Sequence, residues 1–179
     1  MKILVVPRRF VEKQVNSNPN WIQNKWIISI FSRGSVSPVQ DRFNVLKLEF
    51  DDVSERDMGG WSSISDNTIF FNEDHAKQIH KFIASIPMDS DKIFYIHCDA
   101  GVSRSGAVGY MLNEWFNKFL SVNKEDQNFF QQNNSHIMPN PLVVRLLKRE
   151  LFGADYSGVF VNDYTYNEDG EKIDHIEEI

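Results

Sequence analysis

The chain has 179 residues, 41% of them hydrophobic and 25% charged, values that suit one globular domain and exclude a disordered or fibrous chain. No apolar run approaches the ~20 residues of a membrane-spanning helix, which excludes an integral membrane protein. The net charge is −6, yet residues 163–179 hold seven acids and one base, leaving 18 of each sign in residues 1–162.

A neutral body without a dense Lys/Arg cluster argues against a nucleic-acid partner while leaving room for a local anion site. The apolar stretch after Lys2 stops at Pro7, too short for a secretory signal. Cys98 is the sole cysteine and cannot form an internal disulfide, so nothing points to an oxidising compartment. Together these predict a cytoplasmic single-domain protein, residues 1–162, followed by a solvated acidic tail, residues 163–179.

In chain order, residues 2–6 and 26–31 are short β-branched or aromatic runs bounded by turn residues, and read as buried strands. Asn16-Ser17-Asn18-Pro19-Asn20 between them reads as a turn-rich connection. Leu46, Leu48 and Phe50 alternate with polar neighbours and predict a third strand over 43–50. Residues 51–68 are polar and without period. Asn72 reads as an N-cap, with Glu73 and Asp74 in a first turn whose dipole favours acids. Ala76, Ile79, Phe82, Ile83 and Ile86 then keep helical spacing up to Pro87. A fourth strand is expected over 92–97 and an apolar helix over 106–120. Residues 121–139, rich in Asn, Gln and Ser, read as a surface loop, and Pro141 opens a last helix to Phe152. The alternation predicts an α/β fold, a central, mostly parallel sheet flanked by helices.

Residues 97–106 read His-Cys-Asp-Ala-Gly-Val-Ser-Arg-Ser-Gly, between a predicted strand and a predicted helix. Successive N–H groups of such a loop can form a nest for phosphate oxygens, and the helix N-terminus adds unpaired donors and a positive dipole end. On this reading the backbone of Asp99, Ala100, Gly101, Val102, Ser103 and Arg104 lines the cradle. The Arg104 fork grips two oxygens of the same phosphate. Cys98 sits at the floor, where the positive potential favours the nucleophilic thiolate, and can form a phosphocysteine. Ser105 can donate to the sulfur and help it leave. His97 is expected to hydrogen-bond backbone around the cysteine rather than to transfer protons.

This string resembles the signature of the cysteine-dependent protein tyrosine phosphatases, His-Cys-x-x-Gly-x-x-Arg-Ser-Gly, complete here from His97 to Gly106. A wider resemblance to compact dual-specificity phosphatases runs from about Trp26 to Phe116 and includes Leu-Glu-Phe-Asp-Asp-Val; residues 121–179 show no family motif. The resemblance implies a phosphatase-like fold, a catalytic domain over 1–162, and a two-step hydrolysis needing neither metal nor cofactor. Its substrate would be phosphotyrosine, or phosphoserine and phosphothreonine, in a phosphorylated protein. It further implies a general acid, an aspartate upstream of the cysteine. Asp51, Asp52, Asp57 and Asp66 are candidates. Asp51 and Asp52 would leave the same sheet edge as Cys98 if their strands are parallel. Asp52 falls where the family's aspartate lies, and Asp57 is next, on an insertion around 54–66 with Trp61 as part of a lid. Asp66 and the Asp51–Asp52 pair also read as turn residues.

The same chemistry could serve a phosphoinositide or an RNA 5′-phosphate. Lipid-directed relatives place lysines inside the loop, whereas Asp99 here disfavours a highly anionic headgroup. A non-catalytic phosphate-binding module is the third reading; such proteins typically lose the cysteine or the arginine, and both are present.

Overall fold

A computed structural model describes residues 1–53, 66–87 and 92–154, with the backbone of 165–166 and 172–173. Four β-branched and aromatic segments form strands: β1 (Ile3–Pro7), β2 (Trp26–Phe31), β3 (Val45–Glu49) and β4 (Phe94–Cys98). They make one parallel sheet in the order β1-β4-β2-β3, with Pro7 opposite Cys98, Ile28 opposite Ile96 and Ile30 opposite Leu48. The two-residue strands β5 (Thr165–Tyr166) and β6 (Lys172–Ile173) pair antiparallel; the other residues of the acidic tail lie outside the described residues.

Side chains alternate between the sheet faces, so each strand feeds two cores. Ile28, Ile30, Leu48, Phe94, Ile96 and Cys98 pack with helices α2 (Glu73–Ala84), α3 (Arg104–Asn113) and α5 (Pro141–Phe152). Ile27 and Tyr95 face the other way, with Val11 of helix α1 (Arg8–Ser17). The chain leaves β1 into α1 on one face and leaves β4 into α3 on the other. In open sheets of this kind, ligand sites lie at the carboxyl edge beside such a switch in direction, here at the end of β4. Every residue of α3 is buried, and the helix continues as π-helical turns over Glu114–Leu120. It lies so close to β1 that a Cβ on Gly109 would stand 2.5 Å from Val5 Cγ2.

The predicted sheet and the helices after Asn72 and Pro141 are present, with Asn72 and Asn140 as side-chain caps. One helix has no forerunner in the sequence reading, and one expectation is corrected. The turn-rich connection is present after Ser17, and ahead of it stands α1, a polar helix that buries Val11 and rests Phe10 and Val15 on the sheet. It has no side-chain cap, which removed the usual start signal.

The correction is α4 (Lys124–Asn133), inside the stretch expected to be a loop. Asn123 caps it by accepting from the Asp126 amide at 3.1 Å, and Glu125 and Asp126 sit in its first turn. Phe130 is its one buried residue, so composition hid a helix that covers only an edge. Just after it, the buried Asn134 acts as a fragment of a missing strand against β1. Its Oδ1 accepts from the Val5 amide (2.7 Å) and its Nδ2 donates to the Ile3 carbonyl (3.0 Å). Asn134→Ala would leave both backbone groups buried and unpaired. Urea denaturation should show a loss of about 2–4 kcal/mol, one desolvation penalty for each group.

Candidate active site

Strand β4 ends at Cys98, residues 99–103 turn, and α3 begins at Arg104. The turn depends on Gly101, whose φ is +76° and where a Cβ would lie 2.5 Å from Val6 C and Pro7 N. The loop's carbonyls are pinned from outside. Asp99 O accepts from the Arg8 amide (3.2 Å) and Val102 O from that of Met138 (3.2 Å). Ser103 O accepts from the amides of Ala107 (2.9 Å) and Asn140 (3.3 Å). Across a trans peptide the N–H points opposite to the carbonyl, so the amides of Ala100, Ser103 and Arg104 face away from those anchors. The Gly101 amide bonds the Cys98 sulfur at 3.2 Å, and Ser105 Oγ–H reaches the same sulfur at 3.1 Å. The sulfur lies deep, with Cys98 1% exposed.

Arg104 is 4% exposed and most of its donors are spoken for. Nη1 bonds Ser32 Oγ (2.9 Å) and the Phe50 carbonyl (2.8 Å), at the ends of β2 and β3, and Nη2 bonds Asp99 Oδ2 (2.6 Å). Of five N–H groups, the Nε one and the second on Nη2 remain, and Nε has no hydrogen-bond partner among the described residues. These two share one edge of the guanidinium and form a planar fork for two oxygens. Asp99 thus meets the site with its side chain as a brace on Arg104, further bonded by Ser32 Oγ (3.1 Å). Burial alone would push the Asp99 carboxyl up, but the hydrogen bonds and charge of Arg104, with Ser32 and Arg8, hold it below the usual carboxylate range.

The aspartates separate by geometry. Asp51 is consumed by structure, its two oxygens accepting from the amides of Arg33 (3.3 Å) and Ile69 (2.9 Å). Asp52 reaches the loop instead. Its Oδ1 accepts from Ser103 Oγ (2.7 Å) and Asn140 Nδ2 (3.0 Å), and its Oδ2 stands 4.0 Å from Arg104 Nε. Asp66 is an exposed turn residue. Asp57 and Trp61 lie outside the described residues. Sequence reading missed Ser32, Arg8 and Asn140. The rule that ligand groups follow strand ends could have found Ser32, and Asn before Pro141 is a readable N-cap. Among the described residues no three His, Cys, Asp or Glu side chains cluster so as to hold a metal ion.

No protein-family model and no curated protein matches this sequence. Among solved structures, the human tyrosine phosphatase-like serine/threonine/tyrosine-interacting protein is similar, with a TM-score of 0.50 at 17% identity over 82% of this chain and 89% of that one. The fold is tyrosine phosphatase-like. A variant of human DUSP28 (TM-score 0.48, 16% identity, 83% of this chain, 88% of that one) and PTPMT1 in complex with PI(5)P (0.44, 12%, 83%, 89%) are also similar. In this chain the His97–Gly106 string forms the connection from β4 to α3.

His97, beside Cys98, departs from expectation. It points to the α1 side of the sheet and is fully buried, and neither ring nitrogen makes a hydrogen bond among the described residues. Burial lowers its pKa to about 4, helped by Arg8; the nearby Cys98 backbone, outside hydrogen-bonding geometry, and Asp99 and Glu12 pull the other way. The unfolded chain, with its imidazole near the ordinary 6.5, binds the proton first. Stability from a neutral His97 is therefore full above pH 6.5 and declines as pH falls toward 4, by up to about 3 kcal/mol. Urea titrations across this window should show that decline, and a His97→Asn variant should flatten it.

Proposed function

We propose that the chain hydrolyses phosphomonoesters through a phosphocysteine, without metal or cofactor, and that phosphotyrosine in proteins is its substrate, with phosphoserine and phosphothreonine as further candidates. One observation supports this above the others: the free edge of Arg104 and a loop of outward-pinned carbonyls accompany a sulfur that already accepts two hydrogen bonds. In the first step Cys98 attacks phosphorus, the ester oxygen departs, and Asp52 gives it a proton. In the second, Asp52 takes a proton from water, the hydroxide attacks phosphorus, and the thiolate leaves as Ser105 donates to it. The Arg104 edge and the amides of residues 99–104 hold the phosphoryl oxygens throughout.

Residues 1–162 form the catalytic domain on this reading, and the lone thiol suits a reducing cytoplasm. Asp99 and Asp52 place two carboxylates beside the loop, and no lysine lies in it. That composition favours a single phosphoester on a protein over a multiply phosphorylated headgroup.

Cys98→Ser should abolish turnover and retain measurable vanadate binding; Arg104→Ala should lose both. Asp52→Ala should slow an alkyl phosphate by roughly 10²–10⁴-fold, the usual worth of a general acid, and p-nitrophenyl phosphate far less, because that leaving group barely needs a proton. Equal, small effects on both substrates would move the acid role to another aspartate, and no hydrolysis of any monoester by the reduced wild-type protein would refute the function.

A further inference from the structure

We infer that Asn140 is a positioning residue for Asp52, fixing the carboxylate that serves as acid; this rests on the proposed phosphatase reading. Asn140 is 88 residues away in sequence, yet its buried side chain joins three parts of the site. Its Oδ1 accepts from the Leu142 and Val143 amides (3.1 and 3.3 Å) and so caps α5. Its Nδ2 donates to Asp52 Oδ1 (3.0 Å) and to the Val53 carbonyl (3.1 Å), and its backbone amide holds Ser103 O (3.3 Å). The amide orientation is fixed by chemistry. A flip would set an NH₂ group against two N–H donors and an oxygen against a carboxylate and a carbonyl.

The consequence is directional. With Ser103 Oγ, Asn140 occupies Asp52 Oδ1 from the side of α5, which leaves Oδ2 as the oxygen nearest Arg104 Nε. An acid must present one oxygen to the leaving group at hydrogen-bond distance, and a small misplacement loses much of its worth. A carboxylate on a segment with only its own backbone to hold it would sample both oxygens. Here a rigid helix cap removes that freedom before substrate arrives.

Asn140→Ser separates the two jobs. Serine caps helices about as well as asparagine but is too short to reach Asp52. The variant should melt near the wild-type temperature and bind vanadate as it does. It should hydrolyse an alkyl phosphate about tenfold or more slowly, part of the worth of the acid, with p-nitrophenyl phosphate nearly unaffected. Adding Asn140→Ser to Asp52→Ala should cost nothing further, since the residue acts through that carboxylate. Equal losses on the two substrates, additive losses in the double variant, or unfolding despite the retained cap would each assign Asn140 a purely structural role and overturn the inference. A wild-type protein that shows the Asp52→Ala leaving-group effect while Asn140→Ser does not would overturn it alone. An inert wild-type protein would remove it together with the proposed function.

Discussion

The carboxyl edge of the sheet is held together by one buried cation. Arg104 comes from the first turn of α3 and reaches Ser32 after β2, the Phe50 carbonyl after β3 and Asp99 after β4. A guanidinium taken out of water is costly unless its donors are met and its charge is balanced. Here two neutral oxygens meet Nη1 and one carboxylate meets Nη2, so three strand ends are drawn to a common centre. The donors left over lie on one edge. The residue proposed to bind phosphate therefore also fixes where the phosphate must lie, and its orientation is set without the ligand.

The same edge explains the division of labour between Asp51 and Asp52. They are neighbours in sequence and look interchangeable, as an exposed acidic turn. After β3 the Val53 amide bonds the Asp51 carbonyl (3.0 Å), a tight turn at Asp52 that sends the two side chains to different partners. Asp51 clamps the amides of Arg33 and Ile69, joining the turn after β2 to the segment that leads into α2. Asp52 turns to Ser103 and Asn140. A one-residue shift would exchange a brace for a proposed acid, which is why composition leaves the pair open while their hydrogen bonds differ.

What could be read in advance was local. Strand runs, the Asn72 cap with its acidic first turn, and Pro141 as a helix start each act over a few residues, and each is present. The signature loop was legible for the same reason. Its strand, turn and helix are contiguous. Helices α1 and α4 escaped because each touches the body along a narrow strip, Val11 in one and Phe130 in the other, and needs little apolar sequence to do so. The brackets around the site escaped for a different reason. Asn134 on β1, Asn140 on Asp52 and Ser32 on Arg104 act across 131, 88 and 72 residues, and no local pattern marks such an asparagine or serine apart from any other.

The charge balance of the edge bears on how a phosphate would be held. Arg104 is paired with Asp99 at 2.6 Å, Arg8 stands 3.9 Å from the same carboxylate and pairs closely with Glu12, and Asp52 lies across from Arg104 Nε. Positive charge is thus matched by negative charge before any ligand enters. Net attraction at long range is small, in keeping with the equal numbers of acids and bases over residues 1–162. Affinity for a phosphoryl group must then come from contacts at hydrogen-bond distance, the free guanidinium edge and amides turned from their pinned carbonyls. Such dipoles are little screened by salt and need no rearrangement when charge develops on the oxygens. On the proposed reading, a site of this kind would select by fit around one phosphoryl group and gain little from additional negative charge on the rest of the molecule.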